Sequence, residues 1–106
     1  MPFTAFLHLR ALPAWLALPR ETRGEIAAKA LAHALPDNTV TLRFFDAEAF
    51  HGQISDVAML TSPDPRAYYF AIERLRDTPL FATPYFDLVD IIPAYENGFR
   101  EFENAA

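Results

Sequence analysis

The feature that most constrains this chain is the order of its hydrophobic patterns, which switch between a strand period and a helical period along 106 residues. Four segments alternate apolar and mixed residues with a period of two, which is typical of β-strands. They are predicted at 3–12, 39–45, 54–61 and 85–92. Two segments, at about 22–35 and 65–76, repeat apolar residues at helical spacing. The predicted order is strand, helix, strand, strand, helix, strand.

Prolines separate the first strand from the main helix. Pro13 ends the strand, and the apolar segment between Pro13 and Pro19 suits one helical turn. The main helix then begins either at Thr22, which forms a capping-box pattern with Glu25, or near Pro19, which suits a first helical position. Both starts fit the pattern.

Breaker residues bound the second helix. Residues 62–65 interrupt the third strand and supply a cap for the helix, and Thr78–Pro79 ends it. Residues 81–84 are predicted as a loop. After the fourth strand the chain is predicted to finish as an acidic tail.

The element order predicts an α+β domain over residues 1–106, with the ferredoxin-like βαββαβ arrangement. In that arrangement the sheet is four-stranded and antiparallel, and two helices cover one of its faces. The other face would be apolar, with Phe6 and Phe45 on it. Because soluble monomers avoid large exposed apolar patches, we expect two copies to pair sheet to sheet as a dimeric α+β barrel.

The composition excludes several classes of function. A net charge of −5 and a pI near 5.0 disfavour binding to nucleic acid. With no cysteine, the chain has no disulfide, thiol nucleophile or thiolate-ligated metal. No apolar run is long enough to span a membrane, and the start lacks a secretory pattern, so a cytoplasmic location is expected.

Five ordered strings of residues resemble the darcynin family. They are Pro13–Leu18, Arg43–Phe50, Ser55–Ala58, Ala67–Phe70 and Tyr85–Pro93. The resemblance extends over nearly the whole chain. It supports the predicted fold and supplies no set of catalytic residues, since the family is functionally uncharacterised.

A group of polar residues is predicted to meet on the uncovered face of the sheet. Its members are His8 and Arg10 of the first strand, Arg43 of the second, Asp56 of the third and Asp90 of the fourth. Asp87 and Asp90 lie on opposite parities of the fourth strand, so parity alone leaves their orientation open. We place Asp90 on the uncovered face because an unpaired aspartate at mid-strand is costly beneath helices, whereas Asp87 reaches solvent near the strand start.

This group has two interpretations. As a catalytic site, His8 would be a general base oriented by Asp90, with the arginines, Asp56, Phe6, Phe45 and Trp15 binding a substrate in an apolar pocket beside it. As a structural network, the same charges would fix the strand register or the dimer contact. The second interpretation is favoured, because buried charges need partners in any case. Trp15 by itself is more simply a core residue.

Metal and cofactor sites are not predicted. The three histidines show no HxH, HxxxH or HExxH spacing, and the three glycines form no phosphate-binding loop. His51, which precedes Gly52, is either a solvated loop residue or part of a lid.

Two functions stay open. The first is a small-molecule-binding homodimer, for an apolar or aromatic ligand, acting as a binding protein or as a cofactor-independent isomerase, cyclase or oxygenase. This function rests on fold analogy. The second is a non-catalytic oligomer or protein-interaction module.

Overall fold

The structure is a computed structural model, and it describes residues 1–105. The strands are β1 (Phe3–Ala11), β2 (Thr41–Asp46), β3 (Asp56–Ser62) and β4 (Phe86–Tyr95). The helices are α1 (Pro13–Leu16), α2 (Arg20–Ala34), α3 (Pro65–Arg76), α4 (Pro79–Ala82) and α5 (Gly98–Ala105). The strands and the two longest helices confirm the predicted βαββαβ order.

The four strands form one antiparallel sheet in the order β2-β3-β1-β4. Its helix face carries Ala5, Leu7 and Leu9 of β1, which pack in one core with the apolar stripes of α2 and α3. Leu7 and Leu60 are the largest side chains that are almost completely buried. The alternating burial along β1 follows from the period of two seen in the sequence.

The opposite side of the sheet, called the open face below, carries the other parity of β1. Phe6, His8 and Arg10 lie on it. Ile92 of β4 lies beside Phe6, and its side chain is 44% exposed. Phe45 of β2 lies on the same face and is 43% exposed. The apolar character predicted for this face is therefore present.

A β-bulge in β4 changes which residues share a face. His8 pairs with Asp90 and Leu9 pairs with Leu88, so Val89 is an extra residue between the two pairs. Because of this extra residue, the alternation of β4 side chains between the two faces changes at Val89. Asp87 and Asp90 therefore both lie on the open face. The expectation that these aspartates point to opposite faces was wrong, because it assumed an unbroken strand.

The structure decides between the two predicted starts of the main helix, and the helix boundaries differ from the predictions at two other places. Helix α2 begins at Arg20 with Pro19 as its N-cap residue and has no side-chain cap, so the start near Pro19 is the one adopted. The predicted loop at 81–84 begins inside α4, which Pro79 initiates and the buried Leu80 anchors. The predicted acidic tail is helix α5.

Helix α5 follows a tight turn at Asn97, whose φ of 52° lies in the left-handed region that asparagine tolerates. No residue of α5 is buried, and its Phe99 and Phe102 are exposed. Among the described residues, no helix is long and apolar enough to cross a membrane.

Candidate functional site

A cavity of about 310 Å³ lies between the helix face of the sheet and the helices. Ligand pockets in proteins span about 300 to 1,000 Å³, so the cavity is the size of a small organic molecule. Its walls are mainly apolar and include Leu9, Trp15, Phe44, Leu60, Leu75 and Phe86. Its polar lining residues are Arg23, Asp46, Glu48 and Asp56.

Small side chains leave this space open. Ala27 of α2 and Ala58 of β3 both line the cavity, on opposite walls. The space stays open at these two positions, because neither wall supplies a side chain long enough to fill it.

Trp15 lies on α1 and forms part of the cavity wall. Its ring centroid is 5.3 Å from that of Tyr85 and 5.0 Å from that of Phe86, both in tilted arrangements. Such aromatic pairs stabilise beyond their area of contact. The short helix α1 is therefore held against the start of β4 by its only large ring.

Arg23 holds the segment that follows α1 in place through hydrogen bonds. Its Nε donates a hydrogen bond of 2.9 Å to the carbonyl oxygen of Leu18, and its Nη2 donates one of 2.9 Å to that of Leu16. Arg23 also lines the cavity. The guanidinium thus satisfies carbonyls at the end of α1, beside the apolar wall.

Carboxylates gather where β2 ends and β3 begins. Asp46 and Asp56 pair across the two strands, and Glu48 lies in the connection between them. Asp56 accepts a hydrogen bond of 2.8 Å from the hydroxyl of Ser55. Asp46 and Glu48 are exposed, so this end of the cavity reaches solvent.

Burial raises the pKa of Asp56 above its ordinary value of 3.8. The Ser55 hydroxyl acts in the opposite direction, while the carboxylates of Asp46 and Glu48 raise the pKa further. The Asp56 carboxylate therefore takes up a proton more readily than an exposed aspartate does.

The open face holds most of the polar group predicted from the sequence. His8 lies between Val57 and Asp90 in the pairing of the strands, but the described residues show no hydrogen bond between its side chain and Asp90. The Asp90 carboxylate instead accepts from the backbone N–H of Ile91 at 3.0 Å. Strand pairing thus brings His8 and Asp90 side by side without joining their side chains.

The arginines of this group have other partners. Arg10 forms an ion pair of 2.9 Å with Asp87, and both side chains are nearly half exposed. The guanidinium of Arg43 lies 5.3 Å from the ring centroid of Phe45. Neither arginine joins His8 to Asp90 among residues 1–105.

Asp56 and Trp15 lie on the other side of the sheet from His8. Asp56 pairs with Leu9, and it shares the helix face with Ala58 and Leu60. The prediction of one polar group that includes Asp56 was therefore wrong. Asp56 alternates in step with the buried residues Ala58 and Leu60, so its side chain lies on the helix face. The cavity also opens away from His8, Phe6 and Phe45 rather than beside them.

The sequence prediction missed Arg23, Phe44, Asp46 and Glu48 as cavity residues. For Asp46 a signal existed: it continues the parity of Leu42 and Phe44, which is the apolar parity of β2. Asp46 ends this series and therefore marks the rim of the helix face on this edge strand.

His51 has a local structural role. Its Nδ1 accepts hydrogen bonds from the backbone N–H groups of Gln53 and Ile54, at 3.1 and 2.8 Å. Within the part of the chain that the structure describes, no cluster of histidine and carboxylate side chains is arranged to hold a metal ion. The third histidine, His33, is exposed on α2.

Fold and site together define an α+β domain with an antiparallel sheet, a helix layer and an apolar cavity between them. The sequence model that defines the darcynin family, described as a domain of unknown function, matches residues 1–105 of this chain. The chain therefore belongs to the darcynin family, as the sequence resemblance predicted.

Relatives from several bacteria support this assignment. Darcynin of Chromobacterium violaceum is 53% identical over 64 residues, which cover 60% of this chain and 81% of the relative. Darcynin 1 of Acinetobacter baumannii is 39% identical over 90 residues, covering 84% of this chain and all of the relative. A darcynin homolog of Streptomyces avermitilis is 35% identical over 100 residues, covering 92% of this chain and 82% of the relative.

Solved structures share the fold at low sequence identity. A heme-binding protein from Thermus thermophilus superposes with a TM-score of 0.77 at 14% identity, over 96% of this chain and 44% of the other. The putative chlorite dismutase TA0507 superposes with a TM-score of 0.73 at 20% identity, over 88% of this chain and 42% of the other. This chain thus spans less than half of each solved chain, and the likeness concerns the fold alone.

Proposed function

We propose that the protein binds a small apolar or aromatic molecule in the cavity between the sheet and its helices, and that it does so as a homodimer. The cavity itself carries this proposal, because its volume of about 310 Å³ and its apolar walls match a small organic ligand.

An unfilled space of this size is costly for a small protein. The space is open to solvent in part, because Leu16 and Phe44 of its lining are more than half exposed. Its cost is therefore that of apolar walls left in contact with water, about 25 cal/mol per Å². Longer side chains at Ala27 and Ala58 would fill the space, so its presence favours a role in binding.

One solved neighbour is a heme-binding protein, which makes haem a candidate ligand for the cavity. Haem iron in proteins is held by histidine, cysteine, methionine or tyrosine. None of these residue types lines the cavity in the part of the chain that the structure describes. The cavity residues do not fit haem, and no chemistry through haem is proposed.

The dimer is proposed from the open face. Phe45 and Ile92 are more than two-fifths exposed there, next to the partly buried Phe6. Contact between two copies through this face would remove these apolar side chains from water. Such burial stabilises a contact by about 25 cal/mol per Å² of apolar area. His8, Arg10 and Asp90 would then lie within the contact and select its geometry.

Catalysis by His8 is not part of the proposed function, because the cavity lies on the other side of the sheet. The polar residues of the open face fit the structural role that was favoured from the sequence. On the cavity side, the acid–base groups of the lining are the carboxylates of Asp46, Glu48 and Asp56.

Binding is tested with 3-phenylpropan-1-ol, a neutral aromatic probe, and with the fluorescence of Trp15, the single tryptophan of the chain. Saturable quenching or a shift of the emission is expected, because Trp15 lines the cavity. The variant Ala27→Leu should reduce binding by filling the cavity from α2. Ala28→Leu is the matched control, since Ala28 is exposed on the same helix.

Two results would contradict the proposal. One is the absence of any saturable change with the wild-type protein. The other is equal binding by wild type and Ala27→Leu, which would place the probe outside the cavity.

A further inference from the structure

The polar end of the cavity has an unbalanced charge. Three carboxylates line it, those of Asp46, Glu48 and Asp56, and the one cationic lining residue is Arg23. Among residues 1–105 none of these three carboxylates forms an ion pair, since the one ion pair of the described chain joins Arg10 to Asp87 on the open face.

Arg23 is already engaged by the protein. Its Nε and Nη2 donate to the carbonyl oxygens of Leu18 and Leu16, each at 2.9 Å. These bonds direct the guanidinium toward the end of α1 rather than toward the carboxylates. A bound molecule therefore meets an apolar wall, and beyond it an acidic end with free acceptor oxygens.

Strand pairing holds the carboxylates together. Asp46 and Asp56 are directly paired residues of β2 and β3 on the same face of the sheet. Like charges in this arrangement destabilise a sheet, and a cation between them removes the repulsion. Ser55 satisfies only one oxygen of Asp56, at 2.8 Å, so acceptor capacity remains.

We infer that the ligand of this cavity carries a protonated amine, with an apolar or aromatic body against Trp15 and Phe44 and its ammonium group at Asp46, Glu48 and Asp56. This inference rests on the proposed function and adds the chemical class of the ligand. An ammonium group donates three hydrogen bonds and is matched to several carboxylates at once. The aromatic wall adds a favourable surface for a cation.

Acid should weaken the binding of such a ligand. Protonation of Asp56, whose pKa burial raises, removes one of the three negative charges. Asp46 from β2 and Glu48 from the connection face the same space, and Arg23 from α2 is the cation opposite them. The affinity for an ammonium ligand is thus expected to fall as the pH drops through the raised pKa of Asp56.

The test compares three probes of the same size and different charge. These are 3-phenylpropan-1-amine, which is an ammonium at neutral pH, the neutral 3-phenylpropan-1-ol, and the anion 3-phenylpropanoate. Their dissociation constants are measured on the wild-type protein by calorimetry and by Trp15 fluorescence. The amine is expected to bind about tenfold more tightly than the alcohol, and the carboxylate more weakly than both.

Two variants separate a specific site from general attraction to an acidic protein. Asp56→Asn should remove most of the preference for the amine, read as the ratio of the alcohol to the amine dissociation constant in each protein. Asp77→Asn is the matched control: it removes the same charge from an exposed residue at the end of α3, outside the cavity lining, so it should keep the preference. Circular dichroism and thermal unfolding check that both variants fold.

The outcomes distinguish the two proposals. Equal binding of amine and alcohol, or tighter binding of the carboxylate, would overturn the ammonium inference and leave the cavity as a binding site. An equal loss of preference in Asp77→Asn would also overturn it. If none of the three probes binds, the proposed function fails, and the inference fails with it.

Discussion

Asp46 and Asp56 face each other across β2 and β3, at the solvent-open end of an apolar cavity. The pairing follows from the register of the two strands, in which Phe44 lies opposite Ala58 and Leu42 opposite Leu60. The apolar parity of both strands thus ends in a carboxylate. Each aspartate lies at the end of the helix face of the sheet rather than on the open face.

The repulsion between these carboxylates predicts that Asp56→Asn stabilises the protein at neutral pH. Asparagine removes one charge and keeps an oxygen that accepts the Ser55 hydrogen bond. Like charges directly opposite in a sheet cost about 0.5 kcal/mol, so a gain of this size in the free energy of unfolding is expected. Urea unfolding at about pH 7 measures it.

The pH dependence of the same variant has a defined sign. The pKa of Asp56 is raised in the folded state above 3.8, so the folded protein holds this proton more tightly than the unfolded chain. The stabilisation from this proton is complete below 3.8 and is lost as the pH rises through the raised value. The advantage of Asp56→Asn should therefore vanish in acid. Asp77→Asn, at an exposed residue, is the control, and a less stable Asp56→Asn at neutral pH would contradict the prediction.

The N-terminus of α3 gives a second prediction. Asp64 is its N-cap residue, and the carboxylate accepts a hydrogen bond of 2.8 Å from the backbone N–H of Ala67. Asp64→Ala should cost about 1 kcal/mol of stability, measured by thermal or urea unfolding. Asp64→Asn keeps an acceptor oxygen and should lose far less. Equal losses in the two variants would show that the cap bond is not the cause.

Much of the fold could be predicted because its signals are local. The strand periodicity of β1 predicts both its boundaries and its faces, since each side chain alternates between core and open face. The proline and aspartate at 64–65 predict the start of α3 for a similar reason. These patterns depend on neighbouring residues only.

The site could not be predicted equally well, because it depends on contacts between distant segments. The bulge at Val89 is a property of the pairing between β1 and β4, and it places Asp87 beside Asp90 on the open face. The cavity depends on Ala27 and Ala58, which are small on two walls that meet only in the folded chain. A single sequence shows two alanines and no space between them.

Arg23 gives the third prediction, which concerns the cover of the cavity. Arg23→Met keeps the length of the side chain and removes the hydrogen bonds to Leu16 and Leu18. We expect the segment after α1 to loosen, so that hydrogen exchange at the amides of Ala17 and Leu18 becomes about tenfold faster. Arg20→Met is the matched control on the same helix. Unchanged exchange in Arg23→Met would show that the stacking of Trp15 alone holds α1.

The open face gives the last prediction, on the oligomeric state. Phe45→Asp places a charge on this face and should convert the proposed dimer to a monomer, measured by sedimentation at several protein concentrations. The monomer is expected to stay folded, because Phe45 is 43% exposed on an edge strand. Phe50→Asp is the matched control, since Phe50 is 92% exposed in the loop after β2 and lies off the sheet. A wild-type protein that sediments as a monomer throughout, or a Phe50→Asp variant that dissociates equally, would contradict pairing through the open face.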